Sequence, residues 1–399
     1  MKFYTESSPH IKDGDTTNKI MLRVIIALLP AVIYSIVLFG AKVIVLYLAA
    51  IITCILSTVI VKKVRKKPLL PDYAVIVTAI LLVMTLPPSS TITMVVIGSV
   101  IAIVFAKEVF GGLGSNIFNP ALVGRAFLQV AFPAQMTIYA APTRVPFLDL
   151  FAPGLHNLVN TVTGGTQSID MMNALTQSTP LTFMKFTYNA NISTSLAEQI
   201  GFESHYYLQM LLGSTSGAIG ETSFLLLLIG GIYLLVTKTI DWRIPLGMCL
   251  SLMFVSLLLC LGMPGKFPSP IYQVLAGGFG LGAFFMATDM VTCPSSHLGA
   301  WIYALLIGAV LAILRAFGSS PEYMMYSMFI GNMFMPLIKR GLLVLCLLVK
   351  KSFLLLIKLM LRKKEVNNYE KRGWLYCGYF GYYYCIVGWF STEICMIFF

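Results

Sequence analysis

Charge is what this chain has least of. Only 11% of its 399 residues are Asp, Glu, Lys or Arg, while 58% are hydrophobic, and the mean hydropathy is +0.84. A soluble domain carries about 25% charged residues, so the shortage excludes a soluble globular fold and points to a polytopic membrane protein. Metal-ligand patterns are lacking as well. The four histidines, His10, His156, His205 and His297, show no ligand spacing, and the eight cysteines include no C-x-x-C pair. Most of those cysteines lie in apolar runs, which suits buried thiols better than clustered iron–sulfur ligands, and no metal site is expected. No cleavable leader is expected: residues Met1 to Lys19 are polar, and the first apolar segment, Met21–Gly40, is long enough to span. The net charge of +12 raises the question of nucleic acid. The basic residues cluster at the ends of apolar segments, as topology signals do, so the expected surroundings are membrane lipid and no nucleic acid.

What is present falls into two apolar halves. In the first, spans are expected at Met21–Gly40, Ala41–Val61, Tyr73–Leu86 and Thr91–Ala106. Lys62-Lys63-Val64-Arg65-Lys66-Lys67 follows the second of these and marks a cytoplasmic loop, which puts residues 1–20 in the cytoplasm too. Then comes Phe110-Gly111-Gly112-Leu113-Gly114-Ser115-Asn116-Ile117-Phe118-Asn119-Pro120 running into an apolar stretch that contains Arg125. Glycines, asparagines and a proline there predict an interrupted helix, tolerated at membrane depth only where it lines a cavity or is buried in protein. The second half repeats the plan with spans near Ser223–Val236, Ile244–Leu261, Pro270–Met286, Leu298–Leu314 and Tyr323–Ile338. It too holds a glycine-rich turn, Gly277 to Gly282, followed by Ala287-Thr288-Asp289 and Cys293-Pro294. The expected fold is therefore all-α, with about ten transmembrane helices in two inverted five-helix repeats with interrupted helices. The halves are 21–133 and 223–340; a basic and aromatic extension, 341–399, fits neither of them.

Between the halves lies a polar interval, 134–222, with two basic residues (Arg144, Lys185) against five acidic ones (Asp149, Asp170, Glu198, Glu203, Glu221). Poverty in Lys and Arg predicts translocation to the outer face. Within it, Asn173-Ala174-Leu175-Thr176-Gln177-Ser178-Thr179-Pro180-Leu181 reads locally as a turn or helix start, with Thr as cap and Pro at the first helical position. The hydroxyl of Thr179 could also be phosphoesterified. Phe110–Gly114 lacks the Lys-Ser/Thr of a phosphate loop and suits close helix packing, although amides at a broken-helix end also hold anions or flavin ring atoms. Arg125 and Asp289 stand beside or inside apolar segments, where a charge is either functional or paired at an interface.

Five patches spread along the chain resemble one family. They are Ser7-Ser8-Pro9-His10-Ile11, the run from Gly111 to Arg125, Thr176 to Leu181, Phe284-Phe285-Met286-Ala287-Thr288-Asp289, and Pro321-Glu322 with Asn332 and Pro336-Leu337-Ile338. Together they look like the RnfD component of Rnf electron-transport complexes, related to the NqrB component of the sodium-pumping NADH:quinone reductase, over residues 5–340. The resemblance implies a multi-pass protein of a prokaryotic cell membrane that works with the other Rnf subunits and is not catalytic alone. It implies FMN joined to Thr179 through a phosphoester by a flavin transferase on the outer face, with Thr176 and Ser178 beside it. Gly112, Gly114, Asn119 and Arg125 become candidate cofactor walls, in some relatives for a second, non-covalent riboflavin as well. Electrons would pass between reduced ferredoxin and NAD, coupled to Na⁺ or H⁺ along a path for which Asp289, Thr288 and Asn119 are candidates. The sequence departs from the family motif at Asn173, where Asp is common, and at Gln177, where glycine is frequent. The rival reading is a redox-free inverted-repeat channel or transporter for a small polar solute.

Overall fold

The computed structural model describes residues 16–67, 72–139, 179–182, 207, 210–213, 215–221, 223–263, 267–318 and 322–341. The arm before residue 16, most of the interval from 140 to 206 and the extension beyond 341 lie outside them. Every regular element among the described residues is helical.

The helices begin where short polar side chains precede apolar runs, because such a side chain takes up an amide that the first turn leaves without a partner. Thus α1 (Thr17–Phe39) is capped by Thr16, α3 (Tyr73–Met84) by Asp72, α4 (Ile92–Ile103) by Thr91 and α5 (Pro120–Ala131) by Asn119 with Pro120 behind it. α2 (Ala41–Val64) follows α1 after the single residue Gly40, whose φ of 78° only glycine adopts readily. Beyond the polar interval come α6 (Phe224–Val236), capped by Ser223, then α7 (Arg243–Gly262) and α8 (Pro270–Leu275). α9 (His297–Phe317), capped by Ser296, and α10, residues 324–341, close the described chain.

Four helices are long and apolar enough to cross a membrane: α1, α2, α7 and α9; α3 and α6 are shorter and equally apolar. The exposed residues explain what that apolar surface meets. On α2, Val45, Leu48, Ile52, Ile55 and Val59 are exposed, while Val43, Tyr47, Ala50 and Cys54 are buried. Both sets recur every three to four residues, so one face packs inward and an equally apolar face looks outward. In water an apolar face of this extent would be a liability; against lipid it is the ordinary boundary. α3 is different, with ten residues from Ala74 to Met84 buried, as befits a helix hydrophobic all round inside a bundle.

Contacts gather the helices into two compact units. One contains α1 to α5, α6 and the segment Leu275–Phe285; the other contains α7, α9 and α10. In the first, α2 lies against α3 and α4, α4 against α5, and α1 against α6. The α1–α6 crossing is close enough that a Cβ on Gly230 would run into the carbonyl oxygen of Ala27, with Phe285 on its other side. In the second, α7 and α9 form the principal pair. Gly230→Val should therefore force α1 and α6 apart at a cost of about 1–3 kcal/mol, read as a lowered unfolding temperature in detergent. Leu225→Val, on an exposed part of the same helix, should leave that temperature nearly unchanged.

Candidate functional site

The first interruption lies at the end of α4. Val104–Glu108 widens into a π-helical turn, an arrangement frequent at functional positions. The chain then leaves the helix through Gly111, Gly112 and Gly114, all at positive φ (127°, 106° and 94°), a backbone that side chains with a Cβ resist. The carbonyls freed by this break are met by the basic loop after α2. The Arg65 guanidinium donates to the Glu108 carbonyl, and Lys67 Nζ donates to Gly111 O at 2.9 Å. Beside them Lys107, 2% exposed, forms an ion pair with Asp72 at 2.6 Å. Glu108 is 1% exposed, and its Oε1 has no hydrogen-bond partner among the described residues. The two predicted wall glycines thus belong to one tightly held turn.

Asn119 and Arg125 sit on the helix that follows. Asn119 Oδ1 accepts from the Ala121 amide at 3.1 Å and starts α5, so its side chain is committed to capping. Arg125, 5% exposed, faces Glu221 at 4.0 Å. Glu221 reaches this interior position because the end of the polar interval turns inward. Ala218 and Ile219 are wholly buried, and the amides of Ile219 and Gly220 donate to Leu86 O at 3.0 Å and Met84 O at 2.7 Å. The segment thereby satisfies the carbonyl end of α3. The Glu221 side chain, 4% exposed, also lies where a Cβ on Gly278 would overlap its Oε1. The first unit therefore brings together Arg125, Glu221 and the glycine-rich turn of the second half. Sequence reasoning singles out Arg125 and treats Glu221 as one more acid of the translocated interval. The small, apolar run Gly217-Ala218-Ile219-Gly220 before it is the available signal.

The second interruption mirrors the first in outline. Gly282–Met286 is again a five-residue π-helical turn, and a capped helix, α9, starts after a short irregular stretch. Thr288 is buried at 8%. Asp289 accepts from Thr292 Oγ1 at 3.4 Å, and its carbonyl accepts the Cys293 amide at 3.0 Å, so this carboxylate organises a turn of its own. Burial first, and the Asp289 charge second, push the Cys293 thiol up to about 11, which keeps it protonated near neutral pH. The buried guanidinium of Arg315 donates to the carbonyl and the side-chain oxygen of Gln273, serving α8 as Arg65 serves the first break.

Thr179 is described with Pro180, Leu181 and Thr182 only; Ser178 and Thr176 lie outside the described residues. The chain turns helical at Pro180. Thr179 Oγ1 accepts from the Thr182 amide at 3.3 Å and lies 2.8 Å from Thr182 Oγ1. Thr179 is 3% and Leu181 5% exposed. The cap-and-proline reading of this stretch is thus what its backbone does. A phosphoester fits the residues in kind, since the position offers a secondary alcohol whose contacts are hydrogen bonds that an ester can lose. It does not fit the hydroxyl as it stands, turned inward.

Residues 4–343 match the profile of a family described as NQR2, RnfD, RnfE. The chain is 38% identical over 340 residues to the D component of the proton-translocating ferredoxin:NAD(+) oxidoreductase complex of Clostridium ljungdahlii, covering 85% of this chain and 94% of that protein. It is 35% identical over 335 residues to the D component of the Na(+)-translocating ferredoxin:NAD(+) oxidoreductase complex of Acetobacterium woodii, covering 84% and 92%. The D component of the ion-translocating oxidoreductase complex of Pectobacterium carotovorum subsp. carotovorum is 35% identical over 349 residues, covering 85% and 96%.

Breaking the Arg125–Glu221 pair leaves one buried charge without its counterion, which costs about 3–5 kcal/mol, whereas replacing both partners by apolar residues is often close to neutral. Arg125→Met alone should lower the unfolding temperature sharply. Arg125→Met with Glu221→Leu should recover most of the loss in the same melt.

Proposed function

The chain belongs to the NQR2, RnfD, RnfE family, and from that premise we propose that it is the membrane subunit of an ion-translocating electron-transport complex. It relays electrons between reduced ferredoxin and NAD, in concert with the other subunits of the complex, through FMN bound covalently to Thr179. The observation that carries this reading is the family match over residues 4–343, a range that includes both helix interruptions and Thr179.

When bound, FMN supplies the electron transfer, and the protein supplies position and electrostatics. Thr179 provides the oxygen of the phosphoester, with Ser178 and Thr176 leading into it. Gly112 and Gly114 present backbone without side chains at the first interruption, while Asn119 and Arg125 hold the start and the charged face of α5. Arg125 is balanced by Glu221, so a cofactor or ion approaching that face meets a neutral pair rather than an uncompensated cation. Thr288 and Asp289 are the proposed polar groups of the ion path. The relatives' names differ in their ion, proton in one and sodium in another, so the proposed path is one for a monovalent cation.

The proposed architecture is ten transmembrane helices in two inverted five-helix repeats. It is supported by the recurrence of a π-helical turn, an irregular stretch and a side-chain-capped helix in both halves. The N-terminus lies in the cytoplasm, and Thr179 is on the outer face, where the flavin transferase acts.

Co-expression with a flavin transferase should yield an intact mass carrying one FMN, and Thr179→Ala should carry none. An unmodified, colourless wild-type chain under those conditions would sink the relay and favour a redox-free channel.

A further inference from the structure

Esterification of Thr179 requires its Oγ1 to approach phosphorus. In the folded turn that atom is engaged twice by Thr182, through the backbone amide at 3.3 Å and the hydroxyl at 2.8 Å, and the residue is 3% exposed. Pro180 presets the first helical dihedral, and buried Leu181 anchors the turn. The result is a closed conformation rather than a presented hydroxyl. FMN itself has no good leaving group, so the donor must be an activated flavin such as flavin adenine dinucleotide. The Thr179 Oγ–P bond forms, the P–O bond of the phosphoanhydride breaks, AMP departs, and the Oγ proton passes to a base of the transferase. None of this can begin while Oγ1 faces Thr182.

We propose that Thr182 is a positioning residue that gates this modification: its hydrogen bond to Thr179 holds the acceptor hydroxyl closed, and flavin is added only from the opened turn. The proposal rests on the reading of Thr179 as the flavin carrier. The gate works in one direction, because the phosphate attached to Oγ1 occupies the space beside Thr182 and prevents the turn from closing again.

Removing one hydrogen bond from a pre-equilibrium of this kind shifts the open fraction by about fivefold. The test is the time course of flavin incorporation into the full-length chain in membranes, with transferase and flavin adenine dinucleotide, followed by in-gel flavin fluorescence and intact mass. Thr182→Val and Thr182→Ala should incorporate flavin about fivefold faster than wild type. Thr182→Ser, which restores the hydroxyl, should return to the wild-type rate, and all should end at one flavin per chain. Rates in Thr182→Val and Thr182→Ala equal to or below wild type overturn the gate. A measurement without variants stands beside this one: hydrogen exchange at the Thr182 amide should be protected before modification and fast after it. An amide already unprotected in the unmodified chain overturns the gate as well. A wild-type chain that takes up no flavin overturns the carrier reading itself, a result distinct from both.

Discussion

A helix that stops leaves its last carbonyls without partners, and each one buried away from water costs about 1–3 kcal/mol if left bare. Much of this structure is arranged around that constraint. At the first break the carbonyls of Glu108 and Gly111 are taken by Arg65 and Lys67. At the end of α3 those of Met84 and Leu86 are taken by the amides of Gly220 and Ile219. In the second unit Arg315 serves Gln273. In each instance the donor comes from a distant part of the chain, so the interruptions knit the fold together rather than loosen it. The cationic donors also compensate the negative ends of the broken helices.

This explains which features could be seen in the sequence. Asn119-Pro120, Ser223 and Ser296 announce helix starts because capping is local, and Gly111 to Gly114 announce a break because positive φ is local. Which face of α2 packs inward is not legible in this way, because its outward face is equally apolar. Partners across the fold are not legible either. Arg65 and Lys67 carry the signature of a cytoplasmic loop, and nothing near them says that they also hold the Gly-rich turn. Nor does anything near Lys107 announce its buried pairing with Asp72, which ties the π-helical turn after α4 to the cap of α3. Glu221 looks like an acid of a translocated interval until the segment before it is seen to fold inward.

Thr179 illustrates how a plain reading and a functional one coexist. Its local letters specify a capped turn, and a capped turn is what forms. The family to which the chain belongs supplies the reason to look further at that hydroxyl. The proposed ester would draw on the same oxygen that caps the turn, so the cap and the proposed modification compete for one atom.

The crossing of α1 and α6 has a bearing on biogenesis. Ala27 precedes the polar interval in the chain, yet the surface it packs against, Gly230, is made only after that whole interval has been synthesised. Until then α1 must wait in lipid with one face uncovered, so the two sequence halves cannot be inserted and completed one after the other. Contacts of such long sequence separation slow folding and prolong the exposure of unfinished surfaces. The membrane insertion machinery must therefore keep the first helices available, neither dispersed nor mispaired, until the second half arrives.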